Sequence, residues 1–146
     1  IDANVKGILY VTRTLIGAML RRASGHIVNI GSVAGHDVYP RGNVYCAAKF
    51  AVDAITRSLA VDLVDTPLRA TSIDPGLVGG TEFSLVRFHG DSDAAKKPYQ
   101  GIDPLTPDDV AECVLFAVTR PAHVQINTMI LTATNQATGW LIHRKA

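Results

Sequence analysis

Two short apolar runs, His26–Ile30 (HIVNI) and Arg69–Ile73 (RATSI), constrain this chain more than any other feature. The first is β-branched and continuous rather than alternating, the pattern of a strand covered on both faces of a parallel sheet. Each run ends in a loop rich in glycine: GSVAG at Gly31–Gly35 after the first, PGLVGGT at Pro75–Thr81 after the second. Between them lies a helix-length stretch, Asn43 to Val64, whose apolar face is Phe50, Ala51, Ala54, Ile55, Leu59 and Leu63.

The remaining segments complete the pattern. From Ala3 to Arg22, Val5, Ile8, Leu9, Thr12, Leu15, Ile16, Met19 and Leu20 recur with helical period, and Gly25 reads as the stop. TPDD at Thr106–Asp109 predicts a helix start, with a Thr cap, Pro at the first position and acids in the first turn. That helix runs to Arg120, and Val124–Ala133 follows as a last strand. Ser84–Pro104 has no clean period and mixes Arg87, His89, Lys96 and Lys97 with acids. The tail offers Trp140 and Ile142 to an interface. Helix, strand, helix, strand, irregular segment, helix, strand describes half of a doubly wound α/β sheet, with no repeat and no second-domain linker.

The chemistry is legible in the first turn of the second helix. Tyr45 and Lys49 are four residues apart, so on a helix they share one face. A cation close to a phenol favours its anion, and a phenol so tuned exchanges a proton with a substrate hydroxyl near neutral pH. The spacing alone is weak evidence; the flanking loops carry it. Ser32 follows the first strand, where a polar group lines the crevice in which parallel sheets bind ligands. By itself it would be an ordinary loop serine, and Asn4 an ordinary helix-start residue. Gly76, Gly79 and Gly80 allow backbone to approach a ligand without obstruction by a Cβ.

Serine after one strand, Tyr-x-x-x-Lys on the next helix and Pro-Gly after the next strand resemble the short-chain dehydrogenase/reductase family, from Ile1 to the C-terminus. The resemblance implies a Rossmann-type fold and four catalytic residues: Asn4, Ser32, Tyr45 and Lys49. Tyr45 would be the general acid/base and Lys49 the cation that lowers its pKa and contacts the nicotinamide ribose. Ser32 would orient the substrate oxygen, and Asn4 would hold a helix bend and a water for proton relay. The loop Pro75, Gly76, Leu77, Val78, Gly79, Gly80, Thr81, Glu82 and Phe83 would bound the cofactor, and Ser84–Pro104 would be the substrate lid. PGLVGGTEFSLVRF, NVYCAAKFAV and the INT…TNQA ending look like the NADP-dependent 3-hydroxy acid dehydrogenases of this family. That implies NADP as cofactor and a serine-like or 3-hydroxypropionate-like substrate, its carboxylate held by Arg87 first or Arg41 second, beside Ser32 and Tyr45. Family members commonly form dimers or tetramers, which here would pack through the two long helices.

The family opens with a strand, a glycine-rich turn and a helix that holds the dinucleotide pyrophosphate, and no such fingerprint occurs here. IDANVKG resembles the middle of a family member. The chain therefore reads as the C-terminal half of the sheet, residues 1–146 forming one partial domain with on the order of 100 further residues before it.

Composition excludes several other classes. With 146 residues, 47% hydrophobic, and a net charge of +1, the chain gives no electrostatic reason to propose nucleic acid or an anionic membrane. No apolar run reaches the ~20 residues of a membrane span. Cys46 and Cys113 read as reduced packing residues of a cytoplasmic protein, and the five histidines show no metal-ligand spacing, so no metal is expected. Two other readings stand beside the 3-hydroxy acid one. One is a family member acting on another alcohol or ketone, against which the basic lid argues; the other is an inactive fragment serving only as an interaction module.

Overall fold

The computed structural model describes residues 1–145. Three parallel strands form the sheet: β1 (Gly25–Ile30), β2 (Leu68–Pro75) and β3 (Thr128–Leu131), in the order β1-β2-β3. Val28 lies opposite Thr71 and Ile73 opposite Met129. β2, the central strand, is buried at every position except Arg69. Five α-helices surround the sheet: α1 (Ile8–Arg21), α2 (Asn43–Asp62), α3 (Phe83–Arg87), α4 (Ser92–Lys96) and α5 (Pro107–Val118).

Both faces of β2 are covered. Leu68 and Ala70 join Leu59 of α2 and Leu63, which caps that helix, in a buried cluster, with Ile16 and Met19 of α1 and Ile27 of β1 packed on it. Each buried leucine there contributes ~1.5–3 kcal/mol relative to exposure. Arg69 alternates to the other side, where its guanidinium donates to the Val118, Arg120 and Val124 carbonyls around the end of α5. That capture explains why the last strand is shorter than the apolar pattern from Val124 predicts. The Ile126 carbonyl accepts from the Thr71 hydroxyl at 2.6 Å, and the Gln125 amide reaches the Ala70 carbonyl. Side-chain bonds, from Thr71 of β2 and from Gln125, thus take the place of ladder bonds, and regular strand pairing starts at Thr128.

The first helix also departs from expectation at both ends. Asp2–Gly7 is π-helical, and α geometry begins only at Ile8. Termination comes from Ala23, at φ +51°, with Ser24 N–H donating back to the Met19 carbonyl at 3.2 Å. Gly25 instead opens β1, where a Cβ would stand 2.7 Å from Met19 Sδ. The α5 start follows the sequence reading: Thr106 and Asp109 form a reciprocal capping box with Pro107 at the first position.

The lid leaves and rejoins the domain at one point. Val78 bridges Leu105 in parallel, Gly79 N–H donates to the Leu105 carbonyl at 2.8 Å, and Leu105 N–H donates to the Leu77 carbonyl at 3.0 Å. Between these anchors the chain makes α3, α4 and a 3₁₀ turn at Lys97–Tyr99. On the outside, α1 exposes Leu9, Val11 and Leu15, and α2 exposes Phe50 and Val61, with Val64 exposed just beyond its end. Among the described residues no helix is long and apolar enough to cross a membrane.

Candidate active site

The C-terminal ends of β1 and β2 converge on the first turns of α2. Gly31 continues the sheet by donating to the Ile73 carbonyl at 2.8 Å, which delivers Ser32 beside Pro75. The Ser32 hydroxyl caps the 3₁₀ turn Val33–Gly35 by accepting from Ala34 N–H at 3.1 Å, and it donates to the Pro75 carbonyl at 3.4 Å. This turn lies directly on α2: a Cβ on Gly35 would stand 2.8 Å from the Lys49 carbonyl oxygen. Glycine is required there because the neighbour is backbone and cannot move aside.

A cleft of about 530 Å³ opens at this junction, and Asn4, Ser32, Tyr45 and Lys49 all line it. The sequence scattered these four over 46 residues; the fold brings them to one wall. Asn4 sits half-buried on the π-helical turn, a widened geometry often found at functional sites. Lys49 is 8% exposed, and its ammonium donates to the Ile30 carbonyl at 2.9 Å.

The electrostatics correct one expectation. Spacing predicts that Lys49 depresses the Tyr45 pKa. In the structure burial dominates and raises the phenol above its ordinary value, while the Ser32 hydroxyl, which favours the phenolate, and the Arg87 guanidinium pull it back in part. Lys49 stands 5.8 Å from the Tyr45 ring centroid and donates one of its three N–H groups to the Ile30 carbonyl. Burial also pushes Lys49 below its ordinary value, opposed by the Asp74 carboxylate.

The glycine-rich loop divides into two parts. Pro75, Gly76, Leu77, Val78, Thr81 and Phe83 line the cleft. Gly79, Gly80 and Glu82 do not. Gly79 lacks a side chain because Pro104 Cγ would stand 2.8 Å from its Cβ, and Gly80 adopts φ +69° in open space. Gly79 thus packs against Pro104 and Gly80 makes a left-handed turn, while Gly76 lines the cleft. A Cβ on Gly76 would overlap Gln136 Oε1, which accepts from Leu77 N–H at 2.9 Å.

A second cavity of about 600 Å³ shares Ser32, Tyr45 and Phe83 with the cleft and extends under the lid. Arg41, Arg87 and Arg144 reach it. Arg87 lies over the Tyr39 and Tyr45 rings, 5.6 and 5.8 Å from their centroids, and donates to the Tyr39 hydroxyl at 3.2 Å. Trp140 and Ile142, which the sequence offers to an interface, line this cavity, where the tail folds back and pairs Gln136 with Ile142; Trp140 stays 58% exposed. Sequence reasoning missed Gln136, Tyr39 and Arg144; the TNQA segment that carried the resemblance was the signal for the first. It also missed a convergence of His36 with Asp53 and Asp74, whose ligand atoms lie within 4.8 Å of one another despite their scattered positions. These atoms are already engaged, His36 by Asp74 at 2.5 Å, Asp74 by Ser72 at 2.5 Å and Asp53 by Arg57 at 3.1 Å, so the cluster's ligand atoms are taken up by protein partners.

The chain belongs to the short chain dehydrogenase family, whose model matches residues 1–89. Among its relatives is the NADP-dependent 3-hydroxy acid dehydrogenase YdfG of Escherichia coli (strain K12), 49% identical over 146 residues, covering 99% of this chain and 59% of the relative. The NADP-dependent 3-hydroxy acid dehydrogenase of Schizosaccharomyces pombe is 41% identical, with 99% and 56% covered. The solved closed form of serine dehydrogenase complexed with NADP+ superposes with a TM-score of 0.92 at 49% identity, covering 99% of this chain and 58% of that one. The chain thus spans a little under three fifths of the length of these proteins.

Proposed function

We propose that these residues form the catalytic and lid part of an NADP-dependent dehydrogenase that oxidises the 3-hydroxyl of a 3-hydroxy acid of serine-like or 3-hydroxypropionate-like size. The observation that carries this reading is the shared cleft: Asn4, Ser32, Tyr45 and Lys49 meet the Pro75–Phe83 loop there, and an arginine-bearing cavity adjoins it. The similarity to 3-hydroxy acid dehydrogenases supports the cofactor and substrate class.

The residues present suit the nicotinamide-ribose half of NADP. The cleft offers the hydroxyls of Ser32 and Tyr45 and the Lys49 ammonium on one side, and the apolar Leu77 and Val78 on the other. When bound, NADP supplies the hydride acceptor. Tyr45 takes the proton of the substrate hydroxyl, and Ser32 orients the oxygen by hydrogen bonding. Lys49 places a positive charge beside the phenol and a donor at the ribose. Asn4, on its widened turn, holds a water for proton exchange. Arg87 receives the substrate carboxylate, because its guanidinium already lies over the Tyr45 ring at the mouth of the cavity. Burial raises the Tyr45 phenol and favours its protonated form, the one that donates in the reductive direction.

In the same reading the complete protein is a cytoplasmic dimer or tetramer, packed through the exposed apolar residues of α1 and α2. The deciding experiment follows NADP reduction by the complete protein against 3-hydroxy acids, their methyl esters and neutral secondary alcohols. Turnover confined to the acids is the expected result. Equal or better turnover of neutral alcohols would assign the protein to another substrate class of the family, and no turnover of any would leave only the interaction-module reading.

A further inference from the structure

The stretch Gly76–Leu77 is a partition. Both residues line the cleft that holds Tyr45 and Lys49, and both line the larger cavity under the lid. One edge is fastened to the sheet, where Gly76 N–H donates to the carbonyl of Leu131, the last residue of β3, at 2.8 Å. At the root of the lid the Leu77 carbonyl accepts from Leu105 N–H at 3.0 Å. The remaining donor, Leu77 N–H, goes to the side-chain oxygen of Gln136 at 2.9 Å, across 59 positions of sequence. Among the described residues Gln136 is the one side chain hydrogen bonded to the Gly76–Val78 backbone, and it is 3% exposed.

Gln136 is itself held in place. Its Nε2 donates to the Thr138 carbonyl at 3.1 Å, and its backbone N–H donates to the Ala133 carbonyl at 2.8 Å. Only one amide orientation fits. Turned over, the NH2 would face Leu77 N–H, and the oxygen would face the Thr138 carbonyl. Gly76 completes the seat, because a Cβ there would overlap Gln136 Oε1. An apolar side chain of equal length would fill the same space but leave the half-buried Leu77 N–H without its partner. Beyond Thr138 the tail supplies Gly139, Trp140, Ile142 and Arg144 to the wall of the larger cavity, so the same amide joins that wall to the partition. We propose that Gln136 is a positioning residue that sets the partition between cofactor cleft and substrate cavity, so that one buried amide adjusts affinity on both sides. The role rests on the dehydrogenase reading; the hydrogen bond does not. Ser32 and Lys49 are held by the Pro75 and Ile30 carbonyls, so proton transfer stays outside Gln136's reach.

The test compares Gln136→Met with Gln136→Glu in the complete protein. Met keeps the length and loses both hydrogen bonds, whereas Glu keeps an acceptor for Leu77 N–H in either protonation state. The first readout is amide hydrogen exchange without cofactor or substrate. Leu77 should exchange about 3–10-fold faster in Gln136→Met, the equivalent of one neutral hydrogen bond, and close to the wild-type rate in Gln136→Glu. The second readout is the Kd of NADPH for the free enzyme, with KM and kcat for a 3-hydroxy acid beside it. In Gln136→Met, Kd and KM should each rise about 3–10-fold while kcat at saturation stays within about twofold. In Gln136→Glu, Kd should return to the wild-type value. Wild-type Kd and KM in Gln136→Met would show that Gln136 only fills space beneath Gly76. Equal losses of Kd in Met and Glu would assign the effect to packing and overturn the proposal. Should Gln136→Met give no folded protein, Gly76→Ala breaks the same bond from the other side by displacing the amide. Faster Leu77 exchange with weaker NADPH binding there supports the proposal, and wild-type values overturn it. A wild-type protein that binds no NADPH would instead sink the dehydrogenase reading, and the positioning role with it, while the exchange result for the bond would stand.

Discussion

Lys49 reaches past Tyr45 to bind Ile30: its ammonium donates to the Ile30 carbonyl at 2.9 Å and stands 5.8 Å from the tyrosine ring centroid. Helix α2 is thereby fastened to the last residue of β1, one turn beyond the phenol. The lysine is therefore held at a fixed post beside the tyrosine.

Tyr45→Phe removes the transferable proton and keeps the ring, which packs against Phe83 at 5.6 Å between centroids. General acid/base steps contribute ~10²–10⁴-fold, so turnover in the complete protein should fall at least ~10²-fold with little change in melting temperature. A variant that keeps a tenth of the turnover would remove Tyr45 from the chemistry.

The ionisation of the ligand-free cleft is measurable directly. Burial raises Tyr45, so the difference in phenolate absorbance between wild type and Tyr45→Phe should titrate with a midpoint above about 10. Above pH ~10 the unfolded chain gives up that proton first, and stability falls with pH from there to the folded midpoint. Lys49 has the opposite sign. Its folded pKa is lowered, so between that value and about 10.4 the unfolded chain holds more protons and stability rises with pH. Denaturant titrations across that window should show the rising segment in wild type and its loss in Lys49→Met.

Arg87→Met should separate charged from neutral substrates. A hydrogen bond to a charged group contributes ~1.5–3 kcal/mol, equivalent to roughly 10–100-fold in kcat/KM. That loss is expected on a 3-hydroxy acid, with little change on its methyl ester. Equal losses on both would mean that Arg87, stacked over Tyr39 and Tyr45, shapes the cavity without reading the carboxylate.

Gly35→Ala places a Cβ 2.8 Å from the Lys49 carbonyl oxygen, a backbone neighbour with no rotamer to change. Overpacking of this kind costs ~1–3 kcal/mol. The melting temperature should drop, and the Ser32 turn should lift from α2 with a larger fall in kcat than in substrate affinity. An unchanged melting temperature would show that the turn is looser than drawn here.

Sedimentation of the complete protein at micromolar concentration should give a dimer or tetramer. Charged substitutions at Leu15 and Phe50, both exposed, should shift it toward monomer. A monomer in the wild type would leave those apolar faces without the proposed partner.

What the sequence revealed was what it holds in contiguous stretches. HIVNI followed by Ser32, Tyr45 with Lys49, and the Thr106–Asp109 cap each contain within a few residues the atoms that make their geometry, and each stands where the pattern put it. Gln136 against Gly76, and His36 against Asp74, are contacts across 60 and 38 positions, and no local pattern encodes them. The Tyr45 pKa was misjudged for a related reason. Spacing shows the neighbouring cation but not the burial that outweighs it, because burial is set by Phe83, Pro75 and the lid. The GG of the lid loop showed the converse limit: glycine was legible, but its cause, Pro104 beside Gly79 and a left-handed turn at Gly80, was not.

The closure of the lid at Val78 and Leu105 bears on how such a protein diversifies. Because both ends of the excursion are fastened side by side, closing it depends only weakly on its length: doubling a flexible loop adds only about 0.6 kcal/mol of closure entropy. The segment can be lengthened, shortened or exchanged while the strands beneath keep their register. Selection then has a segment to act upon that can change while Ser32, Tyr45 and Lys49 keep their places on the strand end and helix beneath.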